Sequence, residues 1–337
     1  MNTTLLLEWL IKSVVIVAFL LGGFAYLTLF ERRVLAKMQV RIGPNRAGPW
    51  GLLQPVADGV KLIFKEELIP DKADRLVFIL APIITVVPAL IVLAVLPFGP
   101  AVTIGGRQIH LGLADDINVG VLYILAIASI AVYGITLAGW SSNNKYALMG
   151  GLRSSAQMVS YELALGLSFV GPILLANSMS MRDIVEAQAD WWFVLVQPIG
   201  FVIFLIATLA EVNRAPFDMP EAEQELTAGY HVEYSGMKFA LLFMAEYDKM
   251  IAVSAIGAAL FLGGYWGPFV DQVPWLGPIY LLLKVLAILF LMIWMRATMP
   301  RFRYDRLMAF GWKIMLPAAL FNVAATAVGV VLLGSGG

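Results

Sequence analysis

Carboxylate side chains lie inside segments of this sequence that are otherwise apolar. Glu162 stands near the start of one apolar run, with no base close by, and Glu246 and Asp248 stand about two turns into another. A charged group inside a lipid bilayer is costly, and most such groups serve an ion or proton pathway. Burial favours the neutral form of a carboxyl group, which lets it exchange protons near neutral pH. The pattern therefore indicates proton transfer. For Glu246 and Asp248 the alternative is a structural ion pair with Lys249 or Lys284.

A second set of acidic residues follows the fifth apolar run, in the segment 211–239. Its acids are Glu211, Asp218, Glu221, Glu223, Glu225 and Glu233, against two bases, Arg214 and Lys238. Asp218 can cap a helix that begins at Met219. Glu221 and Glu225 would then share one face of that helix, and their repulsion favours protonation of one of them. The alternative is that acids in a first helical turn only stabilise the helix dipole.

Basic residues are concentrated in two short stretches. The first contains Arg32, Arg33, Lys37, Arg41 and Arg46, beside Glu31, and the second contains Arg296, Arg301, Arg303 and Arg306. Such clusters at the ends of apolar runs are typical of an orientation signal, and they also provide a docking surface for soluble chains. Taken alone, they do not indicate a ligand site.

The composition excludes several kinds of chemistry for this chain. The sequence has no cysteine and only two histidines, His110 and His231, which lie far apart. Iron–sulfur clusters and thiolate zinc sites are thereby excluded, and the sequence has no metal-binding spacing. The net charge of zero gives no indication of a nucleic-acid partner. If this chain takes part in redox chemistry, the redox centres are therefore predicted to belong to another chain.

The length of the apolar runs predicts an all-α polytopic membrane protein. The chain of 337 residues is 60% hydrophobic and 14% charged, against about 25% charged in a typical soluble domain. A membrane-spanning helix needs about 20 mostly apolar residues. About eight runs qualify: 9–30, 77–98, 119–140, 159–179, 193–210, 240–263, 278–295 and 310–333. We therefore predict a single membrane domain over residues 1–337.

A shorter amphipathic segment lies between the first two runs. On a helix its apolar residues share one stripe, and its charged residues lie elsewhere: Val56, Val60, Ile63 and Phe64, against Asp58, Lys61 and Lys65. A segment of this length, interrupted by charge, lies along a membrane surface and does not cross it. The pattern predicts an amphipathic surface helix.

The distribution of lysine and arginine predicts the orientation. The odd-numbered loops, 31–76, 141–158, 211–239 and 296–309, hold most of these residues, and the even-numbered loops hold only Arg107 and Arg182. Because cytoplasmic loops are enriched in lysine and arginine, the odd-numbered loops are predicted to be cytoplasmic and both termini to lie outside. The first run is longer than the apolar region of a signal peptide and lacks a cleavage motif. We therefore predict a retained first span and a multi-pass protein of the bacterial inner membrane.

Long motifs are spread over nearly the full chain. They include Arg41-Ile42-Gly43-Pro44-Asn45-Arg46, Gly139-Trp140-Ser141-Ser142-Asn143-Asn144-Lys145-Tyr146, Ser160-Tyr161-Glu162, Pro216-Phe217-Asp218 and Gly229-Tyr230-His231. Together they resemble the family of membrane H subunits of respiratory complex I. The mitochondrial members of this family are called subunit 1. Strings of this length are far more specific than one short motif.

The resemblance implies a place and a role for the chain. Members of this family lie where the peripheral redox arm meets the membrane arm, and they form much of the chamber that a lipid-soluble quinone enters. Quinone is then the substrate, flavin and iron–sulfur clusters belong to other subunits, and the partners are other complex I subunits and membrane lipid. Carried over residue by residue, the chamber would use Glu31, Arg32, Arg33, Lys37, Arg41, Lys61, Arg214 and Phe217. The path of acids toward the proton-pumping subunits would use Glu162, Glu211, Asp218, Glu221, Glu223, Glu225 and Glu246.

The sequence departs from the family pattern at two places. Some family members carry an acid in the third span where this chain has Ser129-Ile130-Ala131, so no carboxylate is predicted there. The pair Asp248-Lys249 is also unusual. One interpretation is that these two residues form a local ion pair in place of a relay step.

Three other functions share parts of this pattern. The membrane anchor of an energy-converting hydrogenase is related to this family and differs in its neighbouring subunits. A secondary transporter is expected to have internal repeats, which the sequence lacks. A purely structural scaffold gives no reason for a carboxylate at Glu162.

Overall fold

A computed structural model describes residues 3–104, 107–219 and 229–334. Over these residues the chain is a helical polytopic membrane protein, with one short β-hairpin outside the helices. The helices are α1 (Thr3–Met38), α2 (Gln54–Phe64), α3 (Arg75–Ile91), α4 (Gly120–Ser141), α5 (Lys145–Ala176), α6 (Met181–Glu186), α7 (Phe193–Val196), α8 (Pro198–Glu211), α9 (Gly236–Phe261), α10 (Leu276–Thr298), α11 (Tyr304–Phe310) and α12 (Leu316–Gly334). Short 3-10 helices cover Pro49–Gly51, Val92–Val95 and Gly229–His231, and a π-helical turn covers Gly311–Met315. The strands β1 (Val102–Ile104) and β2 (Arg107–Ile109) pair antiparallel between α3 and α4.

Each of the eight predicted apolar runs is mainly helical. Six stretches are long and apolar enough, by length and composition, to cross a membrane: Leu6–Met38, Arg75–Val95, Gly120–Ser141, Lys145–Ala176, Leu276–Thr298 and Tyr304–Leu332. The other two differ for physical reasons. The 14 residues of α8 extend about 21 Å at 1.5 Å per residue, less than the ~30 Å of a bilayer core. The apolar part of α9 carries three charged residues, Glu246, Asp248 and Lys249.

Helix α9 lies at the centre of the bundle. Every residue from Met250 to Phe261 is buried. The helices α1, α3, α8 and α10 contact α9. A helix that is apolar all round is covered either by lipid or by other helices, and here other helices cover this part of α9. The charged residues near its middle are therefore held at fixed places inside the bundle.

Helices α4 and α5 approach each other through small residues. A Cβ atom added at Gly139 of α4 would lie 2.6 Å from the carbonyl oxygen of Ala147 and 3.2 Å from the Cα atom of Gly151, both in α5. Small residues at such a contact let two backbones come within van der Waals distance in lipid. The same packing brings Ser129 of α4 within hydrogen-bonding distance of Glu162 of α5.

Odd-numbered loops contact one another at one end of the bundle, and even-numbered loops meet at the other end. At the predicted cytoplasmic end, Asn144 of the third loop donates a hydrogen bond to Glu233 of the fifth at 2.7 Å. At the opposite end, Arg182 of the fourth loop forms an ion pair with Asp115 of the second at 2.7 Å. This separation fits the predicted alternation of spans. The direction of the bundle in the membrane stays a prediction.

The predicted surface helix is present as α2. None of its residues is buried, and Ile63 and Phe64 are 61% and 84% exposed. Arg32 at the end of α1 donates to Asp58 of α2 at 2.7 Å. The apolar stripe of α2 is left uncovered by the rest of the described chain, as expected for a helix that lies on a membrane surface.

Replacement of Gly139 with valine is expected to weaken the contact between α4 and α5, because the added atoms meet backbone that cannot move aside. Overpacking of this kind costs about 1–3 kcal/mol. The measurement is the yield of folded protein extracted from membranes. Gly329→Val in α12 is a matched control, since nothing lies within 4 Å of a Cβ added there. Equal yields of the two variants would contradict the packing described.

Candidate functional site

Glu31 forms a buried charge cluster near the end of α1. Its side chain is 4% exposed, and Oε1 forms an ion pair with Arg296 of α10. Arg214 of the fifth loop brings Nη1 to 3.9 Å from the same oxygen. Tyr247 of α9 donates its hydroxyl proton to Oε2 at 2.7 Å. A carboxylate removed from water is stable only when other partners replace the solvent. Glu31 thus joins four separate segments of the chain at one point.

The side chain of Arg214 lies against aromatic rings of α9. Its guanidinium carbon is 4.2 Å from the centroid of the Tyr247 ring and 5.9 Å from that of Phe243. A planar guanidinium can stack on an aromatic face while its N–H groups point toward a carboxylate. These contacts fix the start of the fifth loop against α9 and the end of α1.

Gln157 of α5 holds the start of the same loop by hydrogen bonds. The residue is fully buried, and its Nε2 lies 2.7 Å from the carbonyl oxygens of Ala210 and Phe217. Asn213 places its side-chain oxygen 3.2 Å from the same nitrogen. Because only the nitrogen of an amide donates, three surrounding acceptors fix the orientation of the Gln157 amide.

The segment between α10 and α11 packs on the fifth loop. The backbone N–H of Phe302 donates to the carbonyl oxygen of Pro216 at 3.1 Å, and Arg301 Nε donates to the carbonyl oxygen of Asp218 at 2.9 Å. The rings of Phe217 and Phe302 are stacked, with centroids 5.7 Å apart. The described part of the fifth loop is therefore enclosed between α5 and the seventh loop.

A second buried ion pair connects α8 with α9. Lys249 Nζ lies 2.5 Å from Glu211 Oε1. Glu162 accepts a hydrogen bond from Ser129 of α4. The carboxylates of Glu162 and Glu211 are also close enough to interact electrostatically. Ionisable groups of α5, α8 and α9 thus meet within the bundle.

An internal cavity of about 50 Å³ lies beside this ion pair. Glu211, Glu246 and Lys249 line it, together with Tyr230 and apolar side chains of α3, α4, α5 and α8. Tyr230 donates to Glu246 at 3.2 Å. One water molecule needs about 10–15 Å³ of such space and polar partners, so the cavity has room for a few. Acids and a lysine around a space that can hold water are able to pass protons.

An apolar cleft of about 360 Å³ lies between α1 and α10. Its lining includes Phe19 and Tyr26 of α1 and Leu282 and Leu286 of α10, and Arg33 is its charged member. A mostly apolar cleft with few polar groups is the usual setting for a hydrophobic small molecule.

Sequence comparison assigns the chain to a family. A family model described as NADH dehydrogenase matches residues 11–327. The H subunit of the NADH-quinone oxidoreductase of Thermomicrobium roseum is 54% identical over 317 residues, which cover 91% of this chain and 91% of the relative. The chain belongs to the H-subunit family of NADH-quinone oxidoreductase. Two further relatives of the same name cover this chain as fully. That of Rhodospirillum rubrum is 54% identical over 322 residues, 94% of this chain and 92% of the relative. That of Syntrophotalea carbinolica is 49% identical over 336 residues, 99% and 100%.

The residues predicted for the chamber of this H-subunit family member fall into three settings. Glu31, Arg214 and Phe217 are buried in the charge cluster or in the loop beside it. Arg33 lines the apolar cleft, and Arg32 ties α2 to α1. The remaining three are exposed and form none of the ion pairs found among the described residues: Lys37, Arg41 and Lys61.

The residues predicted for the acidic path are partly brought together. Glu211 and Glu246 line one cavity, and Glu162, which is only partly buried, lies near Glu211. The backbone of Asp218 is held by Arg301. The other three predicted acids lie outside the described residues: Glu221, Glu223 and Glu225.

The interpretation of Asp248 and Lys249 as a local ion pair is wrong. Lys249 pairs with Glu211 of another helix, because adjacent residues on a helix point about 100° apart. Lys284, the other lysine considered, donates to two backbone carbonyl oxygens near the opposite end of the bundle. Asp248 is fully buried, and its carboxylate oxygens have no hydrogen-bond partner within the described part of the chain.

Sequence reasoning gave no role in this site to four residues that organise it: Gln157, Tyr247, Lys249 and Arg296. Gln157 and Tyr247 are uncharged, so a search for charges in apolar runs passes over them. Arg296 belongs to a basic stretch that is typical of a membrane orientation signal, and the sequence gives no indication that it pairs with Glu31. A search for all polar residues inside apolar helices, uncharged as well as charged, would have found Gln157.

Replacement of Glu31 with glutamine is expected to prevent assembly of the oxidoreductase. The change keeps the shape of the side chain. It leaves the buried guanidinium of Arg214 and the partly buried guanidinium of Arg296 without their shared carboxylate, at a cost of about 3–5 kcal/mol. The measurement is the yield of complex on a native gel. Asp58→Asn is the control, because it removes a more exposed ion pair, which contributes about 0–1 kcal/mol. A normal yield of the Glu31 variant would show that the cluster is not required.

Replacement of Gln157 with leucine is expected to loosen the fifth loop and to raise the KM for quinone. Loss of the amide leaves buried acceptors unpaired, at a cost of about 1–3 kcal/mol. Gln188→Leu is a matched control: Gln188 is also buried and donates to the carbonyl oxygens of Ile184 and Ala259, away from the loop. Both variants should lower thermal stability, and only Gln157→Leu should change the KM. An unchanged KM in that variant contradicts a positioning role.

Proposed function

We propose that this chain forms the quinone chamber of a proton-pumping NADH:quinone oxidoreductase and couples quinone reduction to proton translocation through buried and loop carboxylates. The Glu31 cluster carries the proposal. It brings the first span, the fifth loop, α9 and α10 together next to an apolar cleft. The relatives, which are named as H subunits of an NADH-quinone oxidoreductase, support the same reaction.

The apolar cleft between α1 and α10 suits a quinone that arrives from lipid. A quinone is apolar except for its two carbonyl oxygens, so its binding needs mainly apolar contact and a few donors. Arg33, in the lining of the cleft, provides N–H groups that can reach such an oxygen. Membrane lipid is the reservoir of substrate in this arrangement.

Reduction of quinone to quinol takes two electrons and two protons. The electrons come from a redox centre on a neighbouring subunit, since this chain has no cysteine to hold an iron–sulfur cluster. The chain itself contributes shape, access and electrostatics. Negative charge that develops on the quinone changes the proton affinity of nearby acids, and closely coupled acids then titrate as a group.

Helix α9 connects the chamber with the acids of the proposed path. Tyr247 binds Glu31, and Glu246 and Lys249, within one turn of it, line the internal cavity with Glu211. A change of charge at Glu31 therefore acts on groups that are held by the same helix. The signal then leaves through Glu162 and Glu211 toward the proton-pumping subunits.

The partners in this proposal are the other membrane and peripheral subunits of complex I, together with quinone and lipid. The chain crosses the bacterial inner membrane several times, with both termini on the outer side. The basic loops at the predicted cytoplasmic end dock the soluble subunits, and nucleic acid is not a partner.

Glu162→Gln is expected to lower NADH:quinone reductase activity and proton pumping together, in membranes where native gels show normal assembly. A positioned proton-transfer group contributes on the order of 10²–10⁴ in rate, so a loss of at least about tenfold is expected. Glu186→Gln is the control, because it makes the same change at an exposed acid of α6. If the assembled Glu162 variant retains both activities, this carboxylate is structural and has no place in the path.

A further inference from the structure

Lys249 compensates the charge of Glu211 inside the apolar part of the bundle. Their side chains are 14% and 1% exposed, and the contacting atoms are 2.5 Å apart. The second carboxylate oxygen, Glu211 Oε2, is buried and has no hydrogen-bond partner in residues 3–104, 107–219 and 229–334. Because a buried carboxylate needs a partner to stay ionised, the charge of Glu211 depends on this lysine.

The charged groups around Glu211 come from two helices. Helix α9 contributes Lys249 and Glu246, which line the same cavity as Glu211. Helix α5 contributes Glu162, whose charge acts on Glu211. The neighbouring helices α3, α4 and α12 carry no charged residue except Arg75 at the start of α3. Among the described residues around this cavity, Lys249 is thus the one lysine beside three acids, Glu211, Glu246 and Glu162.

Glu246 lies within reach of the same ammonium group. It precedes Lys249 by three positions on α9, and residues at that spacing are neighbours on a helix surface. The flexible stem of lysine allows its ammonium to turn from one carboxylate to another without movement of the backbone. An ionised carboxylate accepts about four hydrogen bonds, so Glu246 can bind the ammonium in addition to Tyr230.

We propose that Lys249 is a switch that pairs with Glu211 at rest and with Glu246 once Glu211 has received a proton. In this step Glu211 gains one proton and becomes neutral, Lys249 keeps its own proton, and the local net charge rises by one. The ammonium then moves to the acid that is still ionised. The inference rests on the proposed function and adds to it the residue that decides when Glu211 holds a proton.

The test compares Lys249→Gln and Lys249→Arg in the assembled complex and follows the pH dependence of quinone reduction and of proton pumping. An opposite charge nearby favours the ionised form of a carboxyl group by about 1–3 pH units. Without the ammonium, Glu211 is protonated at a higher pH. The acid limb of the pH profile, where activity falls as the pH is lowered, should therefore move upward by at least about one pH unit in Lys249→Gln. Lys249→Arg retains the charge, and its acid limb should stay in place.

Lys284→Gln is the matched control, because Lys284 is also a lysine inside a membrane helix. It donates to the carbonyl oxygens of Gly264 and Trp266 at 2.9 and 2.6 Å and forms no ion pair among the described residues. Its replacement should leave the acid limb unmoved, even if stability falls. An unmoved limb in Lys249→Gln, or an equal movement in Lys284→Gln, overturns the switch.

A second measurement on Lys249→Arg and one further variant keep the test decisive. If Lys249→Gln does not assemble, Lys249→Arg replaces it. A guanidinium binds carboxylates bidentately and leaves them less readily, so protons pumped per quinone reduced should fall at least about twofold. An unchanged ratio overturns the switch.

Glu211→Gln separates the two proposals. If it abolishes both activities while the limb of Lys249→Gln is unmoved, only the switch fails. If the assembled Glu211 variant keeps both activities, the proposed path through Glu211 fails as well.

Discussion

The burial of the Glu31 charge constrains the rest of the structure. A carboxylate away from water needs partners that replace the solvent, and here they come from three other parts of the chain: Arg214, Tyr247 and Arg296. Loss of one partner leaves an unbalanced charge in apolar surroundings. The end of α1, the fifth loop, α9 and α10 therefore cannot shift independently, and the apolar cleft beside α1 takes its shape from them.

Helix α9 carries this constraint into the interior. Its consecutive residues point in different directions, so Tyr247 reaches Glu31 while Lys249 reaches Glu211 on the far side of the helix. The part of α9 from Met250 to Phe261 is buried by neighbouring helices, which holds both contacts in register. The arrangement places two buried carboxylates, one beside the cleft and one beside the cavity, on opposite sides of a single turn of helix.

The sequence predicts the helices well because hydropathy is a local property. It predicts the contacts between loops poorly, because the partners are far apart: Glu31 and Arg296 are separated by 265 positions, and no periodicity relates them. The resemblance to the family assigned Glu31 and Arg214 to one chamber, but it did not pair them. Lys249 shows a further limit, since its neighbour in sequence, Asp248, is not its neighbour in space. The roles of Glu221, Glu223 and Glu225 stay predictions.

The uncovered helix α2 has a consequence for how a cell makes this protein. Its apolar side chains, with Phe64 84% exposed, have no cover from the described chain, and an exposed ion pair to α1 contributes only about 0–1 kcal/mol to its position. Such a segment belongs to the least stable part of a fold until lipid or a partner protein covers it. Where neither lipid nor a partner covers it, α2 would therefore be the first segment of an unassembled chain to become open to membrane proteases.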